Sequence, residues 1–156
     1  MNGLEAEKPQ RLLDNALAFY EAGRRCNASG KASIPPYKEG VWLGAPTVVC
    51  HAFAIELFLK LLLLLETGSY PDREHELDTL FDRLSPEVKD RINGNFRDWR
   101  GARHYLEEAR NAFREWRYPH EHEFLSASHE ELAEIGVALR ATVSELRPDL
   151  VSVFEA

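Results

Sequence analysis

The chain has 156 residues, 44% hydrophobic and 29% charged, which suffices for one domain with its own core and no staples. Its formal charge of −7 excludes indiscriminate coating of nucleic acid, which draws on a broadly basic surface, and leaves room for a local basic patch. Two widely separated cysteines, Cys26 and Cys50, exclude a disulfide framework.

In chain order, the first predicted helix runs from about Pro9 to Gly23, with Leu13, Ala16, Leu17 and Tyr20 at helical spacing. The start "MNGLEAEKPQ" lacks a basic segment followed by an apolar run, so no signal peptide is expected and the chain reads as cytoplasmic. The stretch "SGKASIPPYKEGVWLG" is a long loop by its glycines and paired prolines, with Trp42 expected to anchor it to the core. Pro46 suits the first turn of a second helix that ends near Thr67, with Gly68 as its stop and Cys50 packed in it as a small hydrophobe.

That second helix has the apolar character of a membrane span, but His51, Glu56 and Lys60 interrupt it. A charge at mid-bilayer costs about 2.5–3.5 kcal/mol, so the segment reads as the central helix of a bundle and no membrane partner is expected. Glu56 needs a partner there. Lys60, four residues on, is one candidate; Arg110 is the preferred guess among the arginines of residues 103–117. Either pair is read as a structural clamp.

Leu77, Leu80, Phe81 and Leu84 mark a short helix, and Ser85-Pro86 opens another through Val88 and Ile92, which "NGN" at 93–95 is expected to interrupt. A further helix is predicted from Gly101 to Tyr118, with Pro119 marking its exit. Ser128 and Glu131 have capping-box spacing at the start of a last helix carrying Leu132, Ile135, Leu139, Val143 and Leu146. No segment alternates as a strand would. The predicted fold is all-α: a single domain over residues 1–156, an up-and-down antiparallel bundle of four to six helices.

Residues 97–117 hold six arginines, no lysine and four acids, a local excess of positive charge in an acidic chain. On a continuous helix Arg103, Arg110, Arg114 and Arg117 fall within about 60° of one another. Glu107 is placed to pair with Arg103 or Arg110, which would account for part of this stripe. Arginine's planar fork suits phosphates and carboxylates and stacks on aromatics such as Trp116 and Tyr118, so an interaction face is favoured over a merely solvated one. The run His120, Glu121, His122, Glu123, with His129 beyond it, reads as a solvated linker rather than a metal site. His75 and His104 read as hydrogen-bonded boundary residues. Neither a phosphate-loop glycine pattern nor zinc-type cysteine spacing occurs, and no cofactor or metal is expected.

Three segments together resemble the HEPN (higher eukaryotes and prokaryotes nucleotide-binding) family: "AFAIELFLKLLLLLE" (52–66), "EHELDTLFDRL" (74–84) and "ARNAFREWRY" (109–118). The resemblance spans roughly residues 45 to 145. It implies a helical bundle, usually homodimeric, that binds RNA, a nucleotide or a protein partner, in settings such as toxin–antitoxin or phage-defence systems. Catalytic members carry an Arg-x4-6-His motif and are metal-independent endoribonucleases. Arg114 and His120 match its spacing, whereas Arg110-Asn111 matches the Arg-polar pair at its start, so the motif arginine is either Arg114 or Arg110. The implied binding residues are Arg103, Arg110, Asn111, Arg117 and Tyr118. The alternative expectations are an endoribonuclease using Arg114 (or Arg110) with His120, and a non-catalytic dimeric scaffold.

Overall fold

The computed structural model describes residues 7–37, 39–121 and 128–150. The fold is all-α, as the periodicities predict. Helix α1 (Lys8–Ser29) leads through a two-residue antiparallel ribbon, β1 (Lys31–Ala32) and β2 (Val41–Trp42), into α2 (Gly44–Thr67). There follow α3 (Leu77–Asp82), α4 (Pro86–Phe96), α5 (Ala102–Glu108), α6 (Ala112–Glu115), a 3-10 turn (Pro119–Glu121) and α7 (His129–Leu146).

Helix α2 is the spine. Its sequence is apolar on most sides, so it is stable only where neighbours cover every side. Helices α1 and α7 pack along it, α3 and α6 cap other sides, and α4 completes the layer against α7. Ile55, Phe58, Leu59, Leu61 and Leu62 are fully buried, each contributing about 1.5–3 kcal/mol relative to exposure. By length and composition α2 passes for a membrane span, but most of it is enclosed within the protein. Gly68, left-handed at φ 81°, closes the helix by donating its N–H to the Leu64 carbonyl.

Two close approaches set the packing of α1. At Gly23 an added Cβ would lie 3.0 Å from the His51 ring, and at Gly136 of α7 it would lie 2.7 Å from the Tyr20 ring. Glycine at both points lets the aromatic rings lie directly on the backbone.

Several local expectations are corrected. Helix α1 continues to Ser29 instead of ending at Gly23, because the contact with His51 uses that glycine inside the helix. Trp42 does not reach the core: its side chain is 62% exposed, and the indole folds over Gly44, where a Cβ would meet it at 1.7 Å. "NGN" does not interrupt α4, which runs on to Phe96. The stop falls instead at Arg97, in the left-handed conformation at φ 59°, with its N–H donated to the Asn93 carbonyl. Asn93 also accepts the Ala102 amide at 2.9 Å, using its side chain to join the end of α4 to the start of α5. Ser85 caps α4 as expected, accepting the Val88 amide at 3.3 Å. Ser128 holds the cap position of α7, but its hydroxyl bonds the Glu131 carboxylate rather than a first-turn amide.

His51 is 2% exposed, with the Tyr20 ring edge 5.3 Å away and no partner for Nδ1 among the described residues. Burial, with a smaller contribution from nearby His129, holds its pKa down to about 4. The folded state therefore refuses a proton that the unfolded chain accepts, so this stability is complete above about pH 6.5 and is lost as pH falls toward 4. Urea titrations at pH 7.5 and pH 5 are expected to show a loss on the order of 2 kcal/mol in the wild type. In His51→Gln that loss should be largely gone.

Candidate anion-binding cleft

The arginine segment is not one helix. After Glu108 the chain tightens: the Arg110 amide bonds the Glu107 carbonyl at 3.2 Å and the Ala112 amide bonds the Ala109 carbonyl at 2.8 Å, both three residues back. Asn111 takes the N-cap position of α6, a place its side-chain type favours over a helix interior. Ala109 and Ala112 stay buried on either side of the break. The predicted single stripe of four arginines is thereby divided.

The first part of the segment is tied to α3. Arg103 forms a two-pronged bond to Asp82, Nε to Oδ1 at 2.8 Å and Nη2 to Oδ2 at 2.9 Å, and also reaches Glu107 at 3.2 Å. Arg110 grips Asp78, with Nε 3.0 and 3.1 Å from the two carboxylate oxygens and a close Nη2–Oδ2 contact. Asp78 is 1% exposed. Its burial acts to raise the carboxyl pKa, but the Arg110 guanidinium and two backbone donors outweigh that and hold it below the ordinary range. The Arg110 carbonyl, released from helical bonding at the break, accepts the Leu77 amide at 3.4 Å.

Arg110 is therefore not the partner of Glu56. The Glu56 carboxylate, buried in the middle of α2, accepts from Lys60 Nζ at 2.9 Å and from His75 Nδ1 at 2.8 Å, both at Oε1. The expected Glu56–Lys60 pair is present. The third member, His75, is nineteen residues from Glu56, so no helical spacing relates them. His75 is a hydrogen-bonded boundary residue, as read from sequence, with its side chain 64% exposed. His104 lies 3.5 Å from Glu108.

Between the loop that carries His75 and the segment after the break lies a cleft of about 470 Å³, within the size range of small-ligand sites. Arg73, Glu74, His75 and Glu76 border one side; Arg110, Asn111, Phe113, Arg114 and Arg117 border the other. Glu74 is occupied with backbone, accepting the His75 and Glu76 amides at 3.0 and 2.9 Å. Glu76 accepts the Thr79 hydroxyl at 3.2 Å and lies 3.9 Å from Arg110. Among the described residues Arg73, Arg114 and Arg117 form no ion pair with a carboxylate. Arg114 instead donates to the Asn111 side chain at 3.0 Å, and Arg117 lies over the Phe113 ring at 4.6 Å and the Tyr118 ring at 5.6 Å. Three exposed arginines without an ion pair among the described residues thus line one concavity, together with Glu74 and Glu76.

Of the residues singled out in the sequence, Arg110, Asn111, Arg114 and Arg117 line the cleft. Arg103 is directed to Asp82, while Tyr118 borders Arg117 from outside the lining. His120 is likewise outside the lining; it sits in the 3-10 turn with its side chain exposed, 4.0 Å from Glu121. His122 and Glu123 lie outside the described residues. No group of three or more metal-ligating side chains occurs among the described residues. Arg73 and the cleft-facing position of His75 escaped the sequence reading. For His75 the signal was the unexplained carboxylate at Glu56, which demanded a partner; none pointed to Arg73.

Compared with known proteins, the chain matches no family model, no curated protein and no solved structure.

Asp78→Ala removes the acceptor of Arg110 and the tie between α3 and the helix break. Its expected effect is a loss of about 2 kcal/mol in denaturant unfolding at pH 7, the scale of hydrogen bonds to a charged group. Asp82→Ala, whose pair is half exposed at the surface, should cost well under half as much.

Proposed function

We propose that this protein binds the phosphates of a single-stranded nucleic acid or nucleotide in the cleft between residues 73–77 and 110–117. The observation that carries this reading is the convergence of Arg73, Arg114 and Arg117, none ion-paired among the described residues, on one concave site. A protein of formal charge −7 that lines one cleft with three arginines lacking an ion pair among the described residues offers a local anion site on an acidic body. Phosphate suits it because the fork of arginine bonds two oxygens at once. The Phe113 ring in the lining and the exposed Tyr118 nearby offer faces on which an unpaired base can stack.

This reading agrees with the nucleotide-binding role that the HEPN resemblance implies. It moves the emphasis from a helix face to a cleft, and from Arg103 to Arg73. An endoribonuclease built on Arg114 and His120 is the less favoured reading, because Arg114 lines the cleft and His120 does not.

Fluorescence anisotropy with a labelled single-stranded RNA 12-mer tests the proposal. Binding should weaken with salt, with a log–log slope of about −2 for three phosphate contacts. Arg73→Ala, Arg114→Ala and Arg117→Ala should each lower affinity by about three- to tenfold. Arg103→Ala and His120→Ala should leave it within twofold. Salt-independent binding, or losses confined to Arg103→Ala, would overturn the reading.

A further inference from the structure

The ribbon between α1 and α2 carries exposed apolar surface that the cleft does not use. Four of the seven large hydrophobic side chains exposed among the described residues, Ile34, Tyr37, Val41 and Trp42, belong to it. Its two strands pack on each other and only sparsely on the helices, and residues 33–37 between them are all exposed. Lys31 pairs with Trp42 and Ala32 with Val41. Successive residues of a strand point to opposite faces, so Val41 and Trp42 leave apolar surface on both sides, with Ile34 and Tyr37 in the turn beyond them. A partner protein with one flat surface covers one face of such an element. A medium that surrounds the ribbon covers all of them.

The backbone of the turn suits a medium poorer in water than the solvent. Pro35 and Pro36 have no N–H, and the Tyr37 amide is already bonded to the Ile34 carbonyl at 2.9 Å. Three consecutive residues therefore bring no free donor out of water, where an unpaired one is costly. Charge then selects the kind of surface. Residues 21–43 hold four basic residues and two acids, in a chain of formal charge −7. Lys31 stands exposed at the foot of the ribbon, and Arg24 and Arg25, exposed near the end of α1, share the carboxylate of Glu21. Tryptophan and tyrosine beside lysine and arginine suit the bilayer interface, where rings lie among the headgroups and cations meet lipid phosphates. We infer that the β1–β2 ribbon docks on the surface of an anionic phospholipid bilayer, its turn entering the headgroup layer and Lys31 meeting the lipid charge. This is contact at the surface: most of α2 stays enclosed in the bundle.

Co-sedimentation of the full chain with vesicles of phosphatidylcholine alone, and of an equal mixture with phosphatidylserine, tests the inference. The protein should sediment with the mixed vesicles and stay in solution with phosphatidylcholine alone, and added salt should release it. Lys31→Ala should weaken binding about fivefold, and Ile34→Ser combined with Tyr37→Ser by about tenfold or more. Arg114→Ala combined with Arg117→Ala should leave it within about twofold, which separates the ribbon from the arginine cleft. Lys31, Ile34 and Tyr37 are exposed, so these variants leave the core untouched, and the comparison of the two vesicle types uses the unaltered protein. Equal binding to both vesicle types overturns the inference. So does binding lost with the cleft arginines and kept by the ribbon variants, or no binding to either vesicle.

Discussion

A carboxylate in the middle of the most deeply buried helix is the constraint on which the arrangement of this protein depends. Glu56 sits among leucines on α2, where an isolated charge would cost far more than any single packing contact returns. Lys60 neutralises it within the same helix, and His75 adds a donor from a segment nineteen residues away. That second bond fastens the approach to α3 onto the spine. Asp78 and Asp82, on the helix that begins two residues later, then hold Arg110 and Arg103. One buried acid therefore sets the position of a loop, the loop sets a short helix, and the helix sets the arginine segment.

The division of the arginines follows from this chain of contacts. Arg103 and Arg110 are consumed in holding α5 and the helix break to α3. Beyond the break the chain changes course, and the remaining arginines meet Arg73 from the opposite loop. A continuous helix would have kept all four on one stripe, where their charges are shared with Glu107 and with each other. The break sorts them into arginines paired with the aspartates of α3 and arginines with no carboxylate partner among the described residues.

The fold was legible in the sequence because it rests on long periodic segments. The stripe of Leu132, Ile135, Leu139 and Val143, the cap at Ser85-Pro86 and the stop at Gly68 each carry their reason within a few residues. Local signals failed where tertiary contact overrode propensity. "NGN" is a poor helix sequence, yet Asn93 stays helical because its side chain is needed at the Ala102 amide. Trp42 read as core by size alone, whereas its ring covers a glycine at the surface. The cleft was legible by half. The arginines stood out as a cluster, but His75 reaches the cleft through a long-range bond to Glu56 that no spacing rule encodes, and Arg73 two residues before it comes along with the same loop.

The placement of the three tryptophans has a spectroscopic consequence. Trp99 is 91% exposed and Trp42 62%, so both emit as indoles in water, at the red end of the range. Trp116 is different: partly buried against the core, with its ring nitrogen shielded, it lies between Arg114 and Arg117 in the chain. The blue component of intrinsic emission therefore belongs to one residue beside the free arginines. The molecule thus carries an optical probe of how the segment bearing Arg114 and Arg117 packs on the core, with two exposed emitters as internal reference.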